Sequence, residues 1–127
     1  MQRAPAISVI LPTHDRLDLF RRALASVLGQ TFDDIEVIVI DNACGDGTTE
    51  FLKTHPDPRL RTIRFPALKG ASAARNAAIA IARAPLLAFQ DDDDHWMPTK
   101  LARQVEALDA AGPQAGLCLA GYLRQFP

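Results

Sequence analysis

Residues 35–40, Ile-Glu-Val-Ile-Val-Ile, constrain the fold more than any other stretch of this chain. Five of the six are apolar and β-branched, a composition that favours extended backbone over helix. Such a run leaves neither face for water, so it is expected to be a parallel strand covered on both sides. Parallel strands need long crossovers, and the flanking sequence supplies them. Ile7-Ser8-Val9-Ile10-Leu11 reads as a second short strand, stopped by Pro12. From Leu17 to Leu28, Leu17, Phe20, Leu24, Val27 and Leu28 recur at helical spacing, with Asp15, Arg16, Asp18, Arg21 and Arg22 on the other side. Gly29 ends that helix.

The pattern repeats downstream. Thr48 to Lys53 starts a short helix closed by Pro56 and Pro58. Leu60 to Phe65 alternates as a strand at a sheet edge. An alanine-rich helix is expected over residues 71–83, a strand over 86–89, and a helix from about Pro98 to Ala111 with Leu101, Val105 and Leu108 inward. Gly116 to Leu123 is expected to add a further strand. Strict alternation of strand and helix predicts an α/β fold, a mostly parallel sheet flanked by helices on both faces. Its crossovers should be right-handed. Ligands then bind beyond the carboxyl ends of the strands.

With 127 residues, the span 1–127 is expected to be a single domain. The formal net charge of −1 argues against a nucleic-acid partner. Cys44 and Cys118 form no metal-type pair and read as reduced thiols of a cytoplasmic protein. No apolar run reaches the roughly 18 residues of a membrane span, and the N-terminus lacks a signal-peptide pattern. The expected location is cytoplasmic, with peripheral contact at the inner face of the membrane left open.

Chemistry concentrates at the predicted strand ends. The segment 86–89 runs into Gln90 and then Asp91, Asp92, Asp93 and Asp94, followed by His95, Trp96, Met97 and Pro98. Four adjacent carboxylates disfavour one another's ionised forms, and Mg²⁺ or Mn²⁺ bound through one or two of them would relieve the repulsion. Taken alone, such a run is more often a solvated acidic turn. But the first strand ends in Pro12-Thr13-His14-Asp15 and the second in Asp41-Asn42, and a parallel sheet brings these tips to the same edge. Arg75, in the helix after Gly70, is the basic group placed to join them. Asp41 and Asp46 could equally be cap or turn residues.

Four ordered blocks resemble family 2 glycosyltransferases of the GT-A fold: residues 7–16, residues 30–42 continued by Asp46-Gly47-Thr48, residues 70–76, and residues 89–98. The resemblance covers the chain from Ile7 to about Gln104. It implies a Rossmann-like nucleotide-sugar-binding domain that lacks the C-terminal acceptor-binding part. By this resemblance Asp41 contacts the nucleotide base, Pro12, Thr13 and His14 line the base and ribose pocket, and Arg75 lies near the diphosphate. Asp91 or Asp92 contacts the ribose and Asp93 holds the metal, with the register of the D-x-D open by one residue. Asn42 departs from the family, where a second aspartate is usual. Cys44 is expected to be a buried or loop thiol. For His95 an ordinary solvated or packing role outweighs that of ligand, and Trp96 is expected to pack beside the site.

The implied reaction is transfer of a sugar from a nucleotide-diphosphate sugar, UDP-sugar first among donors, to a hydroxyl of a saccharide, lipid-linked or protein acceptor. It is metal-dependent, with inversion at the anomeric carbon. The resemblance places the general base beyond Pro127, so no catalytic residue is assigned; Glu106 is expected on a solvent face. The alternative is a donor-binding module that binds metal and nucleotide sugar without turnover. A nucleotidyltransferase is disfavoured because the Pro12–Asp15 loop contains no glycine. A dinucleotide-binding dehydrogenase is disfavoured because no G-x-G-x-x-G follows a strand.

Overall fold

The computed structural model describes residues 3–126; Met1, Gln2 and Pro127 of the expected span lie outside them. Eight elements alternate: β1 (Ile7–Thr13), α1 (Leu17–Leu28), β2 (Ile35–Asn42), α2 (Thr48–Lys53), β3 (Leu60–Phe65), α3 (Ala71–Ile81), β4 (Leu86–Phe89) and α4 (Lys100–Ala111). The strands form one sheet in the order β3-β2-β1-β4, and every pairing is parallel.

Side-chain alternation divides the core into two layers. Ile7, Val9 and Leu11 of β1 and Ile35, Val37 and Val39 of β2 face α1, α2 and α4, where they meet Phe20, Ala23, Leu24, Val27, Leu52 and Leu101. Ile10, Ile38 and Ile40 face the opposite way, onto Ala74 and Ala78 of α3. Both alanines are fully buried. With no bulk beyond Cβ they let α3 lie close on the sheet.

Pro12 does not stop β1. The strand continues to Thr13, and Pro12 pairs with Ile40. The geometry explains why this is tolerated. The Ile10 carbonyl points towards β4 and accepts the Gln90 N–H at 3.0 Å. Pro12, two residues on, turns its N–H-less nitrogen to the same side, where the β1–β4 pairing has already ended at Ile10 and Phe89. From Ile10 onward β1 is therefore an edge on that side, and a proline costs no ladder bond there.

Three other expectations are corrected. Residues 116–123 form no strand: they run as exposed irregular chain, with Leu117, Leu119 and Leu123 in solvent. Apolar spacing only permits a strand, and among the described residues no strand pairs with this segment. The helix expected to reach residue 83 ends at Ile81, because Ala82 turns extended (ψ 137°). Pro85 disfavours helical backbone at Ala84, and the Arg83 N–H is drawn to Glu36. In α4 only Leu101 is fully inward; Leu108 is half-buried.

Glu36 is a buried carboxylate near the start of β2, on the α3 side. Ser8 Oγ donates to it at 2.6 Å, the Arg83 N–H at 2.8 Å, Arg83 Nε at 2.9 Å and Arg61 Nη1 at 2.8 Å. Burial alone would push its carboxyl up; these four donors outweigh that and hold it at about 2, against an ordinary 4.5. It ties β1, β3 and the α3–β4 connection to β2. Because the folded value is depressed, the stabilisation is complete above pH 4.5 and is lost as pH falls towards 2. Glu36→Gln should lower unfolding free energy at pH 7 by roughly 2–4 kcal/mol, and urea midpoints measured from pH 7 to 2 should fall less steeply than the parent's.

Candidate functional site

Pairing β1 between β2 and β4 sets three strand ends side by side, at the point where the sheet order reverses. A crevice of about 360 Å³ opens there. One wall comes from β1 and its loop (Pro12, Thr13, His14, Arg16), and β2 contributes Asn42. Ala71 and Arg75 of α3 and Asp91, Asp92 and Asp93 after β4 complete it.

The aspartates form a tight turn closed by the Asp94 N–H to the Asp91 carbonyl, 3.2 Å. The turn gives each carboxylate its own surroundings. Asp92 points inward, with a side chain only 10% exposed, and accepts from Thr13 Oγ1 at 2.9 Å and Arg16 at 3.2 Å. Asp93 is half-exposed and shares the same Arg16 nitrogen at 3.2 Å. Asp91 accepts from Arg75 at 2.8 Å. Asp94 makes no ion pair among the described residues. Burial first, then the charges of Asp93 and Asp91, push its carboxyl up. Below the turn, buried Gln90 donates through Nε2 to the Asp94 carbonyl at 2.8 Å.

Two guanidiniums against four carboxylates leave two negative charges uncompensated. Asp91, Asp93 and Asp94 each bring an oxygen to within 4.8 Å of the others. An all-oxygen donor set with that residual charge fits a hard divalent cation such as Mg²⁺ or Mn²⁺.

Asp41 does not line the crevice. Strand alternation turns it to the α1 and α2 side with Val37 and Val39, whereas Asn42 follows Ile38 and Ile40 to the α3 side, where the crevice lies. Asp41 is fully buried and both its oxygens are engaged. Oδ1 accepts the Cys44 N–H at 3.0 Å; Oδ2 accepts Thr49 Oγ1 at 2.5 Å and Arg64 Nη1 at 2.6 Å. Burial would raise its carboxyl, but Thr49, the Cys44 N–H and Arg64 hold it below the ordinary value. Asn42 exchanges two bonds with the Lys69 backbone, Nδ2 to the carbonyl at 2.7 Å and Lys69 N–H to Oδ1 at 2.9 Å. An aspartate there has no N–H for that carbonyl.

The loops after β1 and β2 are stitched together. Asp46 reaches across to the start of α1, accepting the Leu17 N–H at 2.8 Å, and also caps α2 through the Thr48 N–H at 3.1 Å and hydroxyl at 2.6 Å. Asp15 Oδ1 accepts the Gly45 N–H at 2.7 Å. His14 Nδ1 lies 2.7 Å from the Asn42 carbonyl. Asp15 and Ala43 both take left-handed backbone, φ 47° and 58°, at roughly 1 kcal/mol each or more. Cys44 is buried; burial, with Asp41 beside it, pushes its thiol up to about 11, too high for a nucleophile at neutral pH.

Arg16 is the crevice residue that sequence reasoning missed, having placed it on the polar side of α1. Its position in the same strand-end loop as Thr13 and His14 was the available signal. His95 is exposed and Glu106 lies on the solvent face of α4. Trp96 packs into the core, its backbone N–H donating to Ser26 Oγ at 3.1 Å, with the Lys100 ammonium 4.4 Å from its ring centre.

A parallel α/β sheet with an acidic crevice at its switch point is the architecture of GT-A glycosyltransferases. The family model for glycosyl transferase family 2 matches residues 8–120, and the chain belongs to that family. It is 35% identical over 114 residues to the succinoglycan biosynthesis protein ExoO of Rhizobium meliloti, covering 90% of this chain and 33% of the relative. It is 33% identical over 103 residues to the Escherichia coli UDP-Glc:alpha-D-GlcNAc-diphosphoundecaprenol beta-1,3-glucosyltransferase WfaP, covering 81% of this chain and 41% of that one. Among solved structures, the Pyrobaculum calidifontis mannosyltransferase PcManGT in complex with GDP-Man and Mn²⁺ superposes with a TM-score of 0.77 at 29% identity. That match covers 91% of this chain and 35% of PcManGT. The chain thus spans between a third and two fifths of the length of these relatives. No helix among the described residues is long and apolar enough to cross a membrane.

Asp41→Ala should cost about 2–4 kcal/mol in chemical denaturation, since it strips the acceptor from Thr49, Arg64 and the Cys44 N–H. The Asp41 contribution is present above the ordinary carboxylate value of 3.8 and fades as pH falls below it. Acid-induced unfolding of the parent should therefore show a component that the variant lacks.

Proposed function

We propose that this chain is the donor-binding part of a glycosyltransferase, taking a nucleoside-diphosphate sugar together with a divalent cation. Its whole protein transfers the sugar to a hydroxyl of a growing polysaccharide or lipid-linked saccharide. The observation that carries this reading is the residual charge at the crevice: the aspartate turn brings four carboxylates to a sheet edge open to solvent. Two arginines pair with three of them, Asp91, Asp92 and Asp93, leaving Asp94 without an ion pair among the described residues. Family membership supplies the chemistry. The names of the relatives support a UDP- or GDP-sugar donor and polysaccharide synthesis.

In this reading Asp93, with Asp91 and Asp94 beside it, would hold Mn²⁺ or Mg²⁺, which would supply Lewis-acid stabilisation to the leaving diphosphate. The chain's own residues do the rest. Pro12 and His14 offer a flat wall to the base. Asn42, held by Lys69, lines the crevice at the position where a second aspartate is usual in the family and offers its amide to the base. Arg16 and Arg75 neutralise the aspartates in the free protein. A diphosphate in the crevice would offer those guanidinium forks oxygens of its own, and carboxylate oxygens now paired with Arg16 and Arg75 would then be free to hold a cation. Asp92, fixed by Thr13, presents its remaining acceptor capacity to the ribose. Transfer proceeds with inversion, the acceptor hydroxyl losing its proton to a general base that none of these residues is assigned to be.

Calorimetry with UDP-sugar and GDP-sugar, with and without Mn²⁺, tests donor binding. A transfer or hydrolysis assay on the same protein separates turnover from binding alone. Asp93→Ala should weaken metal-dependent nucleotide binding by roughly 100-fold with the circular dichroism spectrum unchanged. Affinity equal to the parent's removes Asp93 as ligand. Arg16→Gln should split two quantities: Mn²⁺ alone binds more tightly, because a competing cation has left Asp93, and the nucleoside diphosphate binds more weakly. Loss of both, or of neither, contradicts the exchange.

A further inference from the structure

The aspartate turn is not the one place on this rim where cation ligands gather. His14, Asp15 and Cys44 come from the loops after β1 and β2, and each brings one donor atom to within 4.8 Å of the other two. From this juxtaposition we infer a second cation site, made by His14 Nε2, the Asp15 carboxylate and Cys44 Sγ, selective for a borderline ion such as Zn²⁺ over Mn²⁺ or Mg²⁺.

Neighbours outside the cluster orient the ligands. The Asn42 carbonyl can only accept, so at 2.7 Å it makes His14 Nδ1 the protonated ring nitrogen. In the neutral ring the Nε2 lone pair is then free. Histidines that bind metals are commonly fixed in this way, by a backbone carbonyl on the other nitrogen. Asp15 is held through one oxygen only, Oδ1 to the Gly45 N–H at 2.7 Å, and its second oxygen lies 3.6 Å from His14 Nε2. That spacing is close to the roughly 3.5 Å between ligands of a tetrahedral ion with bonds near 2.1 Å. Cys44 Sγ sits beneath, 3.5 Å from the Thr13 carbonyl. His14 and Asp15 side chains are each over two-fifths exposed, so two of the three ligands are open to an ion from solvent.

Donor chemistry sets the selectivity. Imidazole, thiolate and one carboxylate suit Zn²⁺, whereas the three aspartates across the crevice suit Mn²⁺ or Mg²⁺. On binding, the Cys44 S–H bond breaks, its proton passes to solvent, and the sulfur pair forms the S–metal bond. His14 also lines the donor crevice, so the ion fixes its ring and opposes the donor. That consequence rests on the donor-binding reading; the site itself does not.

Co²⁺ in place of Zn²⁺ gives the test. The parent should develop a thiolate-to-cobalt charge-transfer band in the near-ultraviolet, saturating at one ion per chain and abolished by one equivalent of Zn²⁺. Cys44→Ser should remove the band and His14→Ala should weaken binding at least tenfold, whereas Cys118→Ser and Asp93→Ala should keep it. His14 is partly exposed, so its variant reports on the site even if Cys44→Ser folds poorly. No band in the parent, or a band lost with Cys118 rather than Cys44, overturns the site and leaves an ordinary His–Asp contact over a buried thiol. Because this readout needs no nucleotide, it stands or falls apart from donor binding.

Discussion

Because β1 pairs in parallel with β2 on one side and β4 on the other, the loops after residues 13, 42 and 89 end at one edge. Everything chemical in this chain follows from that constraint. Thr13 meets Asp92 across 79 positions of sequence, and Arg16 meets Asp93 across 77. These contacts are between loops that share no local structure; the ladder alone brings them into reach. The proline in β1 is part of the same arrangement. It sits where β4 has stopped pairing, and the space that β4 vacates opens beside the crevice.

Charge is managed in layers. β2 carries a buried carboxylate at each end, Glu36 and Asp41, and β3 supplies an arginine to both, Arg61 and Arg64. Buried carboxylates of this kind are costly unless every oxygen is engaged, and here every oxygen is. The aspartate turn differs. Its carboxylates are more exposed, one arginine, Arg16, is shared by two of them, and Asp94 is held near neighbours of its own sign. A surface left short of positive charge, above a core in which charges are matched, is suited to receive a cation and a phosphate-bearing ligand.

Element order, both layers of the core and the meeting of the strand ends were legible in the sequence, because β-branched runs, helical spacing and glycine or proline punctuation all agree there. The limits are equally physical. Residues 116–123 carry strand-like composition, but a strand exists only by pairing. Pro12 looked like a stop, since a ladder's one-sided end cannot be seen from composition. The expectation for Asp41 followed its charge and its place in the motif; alternation, which turns Asp41 away from the crevice and brings Asn42 to it, emerges only on counting by twos from Ile38 and Ile40. Arg16 was hidden by its place one residue before a helix.

Asp46 has a mechanical consequence. One carboxylate caps α1 and α2 at once, and Asp15 to Gly45 and His14 to Asn42 add two more ties between the same loops. That half of the crevice behaves as a fixed jaw. The opposite half is tied by the buried Thr13–Asp92 bond and by Gln90 to the Asp94 carbonyl, and otherwise by Arg75 and Arg16, whose ion pairs are partly in water and individually weak. The wall built from the β1 and β2 loops is thus the more heavily cross-tied of the two, so a molecule in the crevice meets a braced surface on that side.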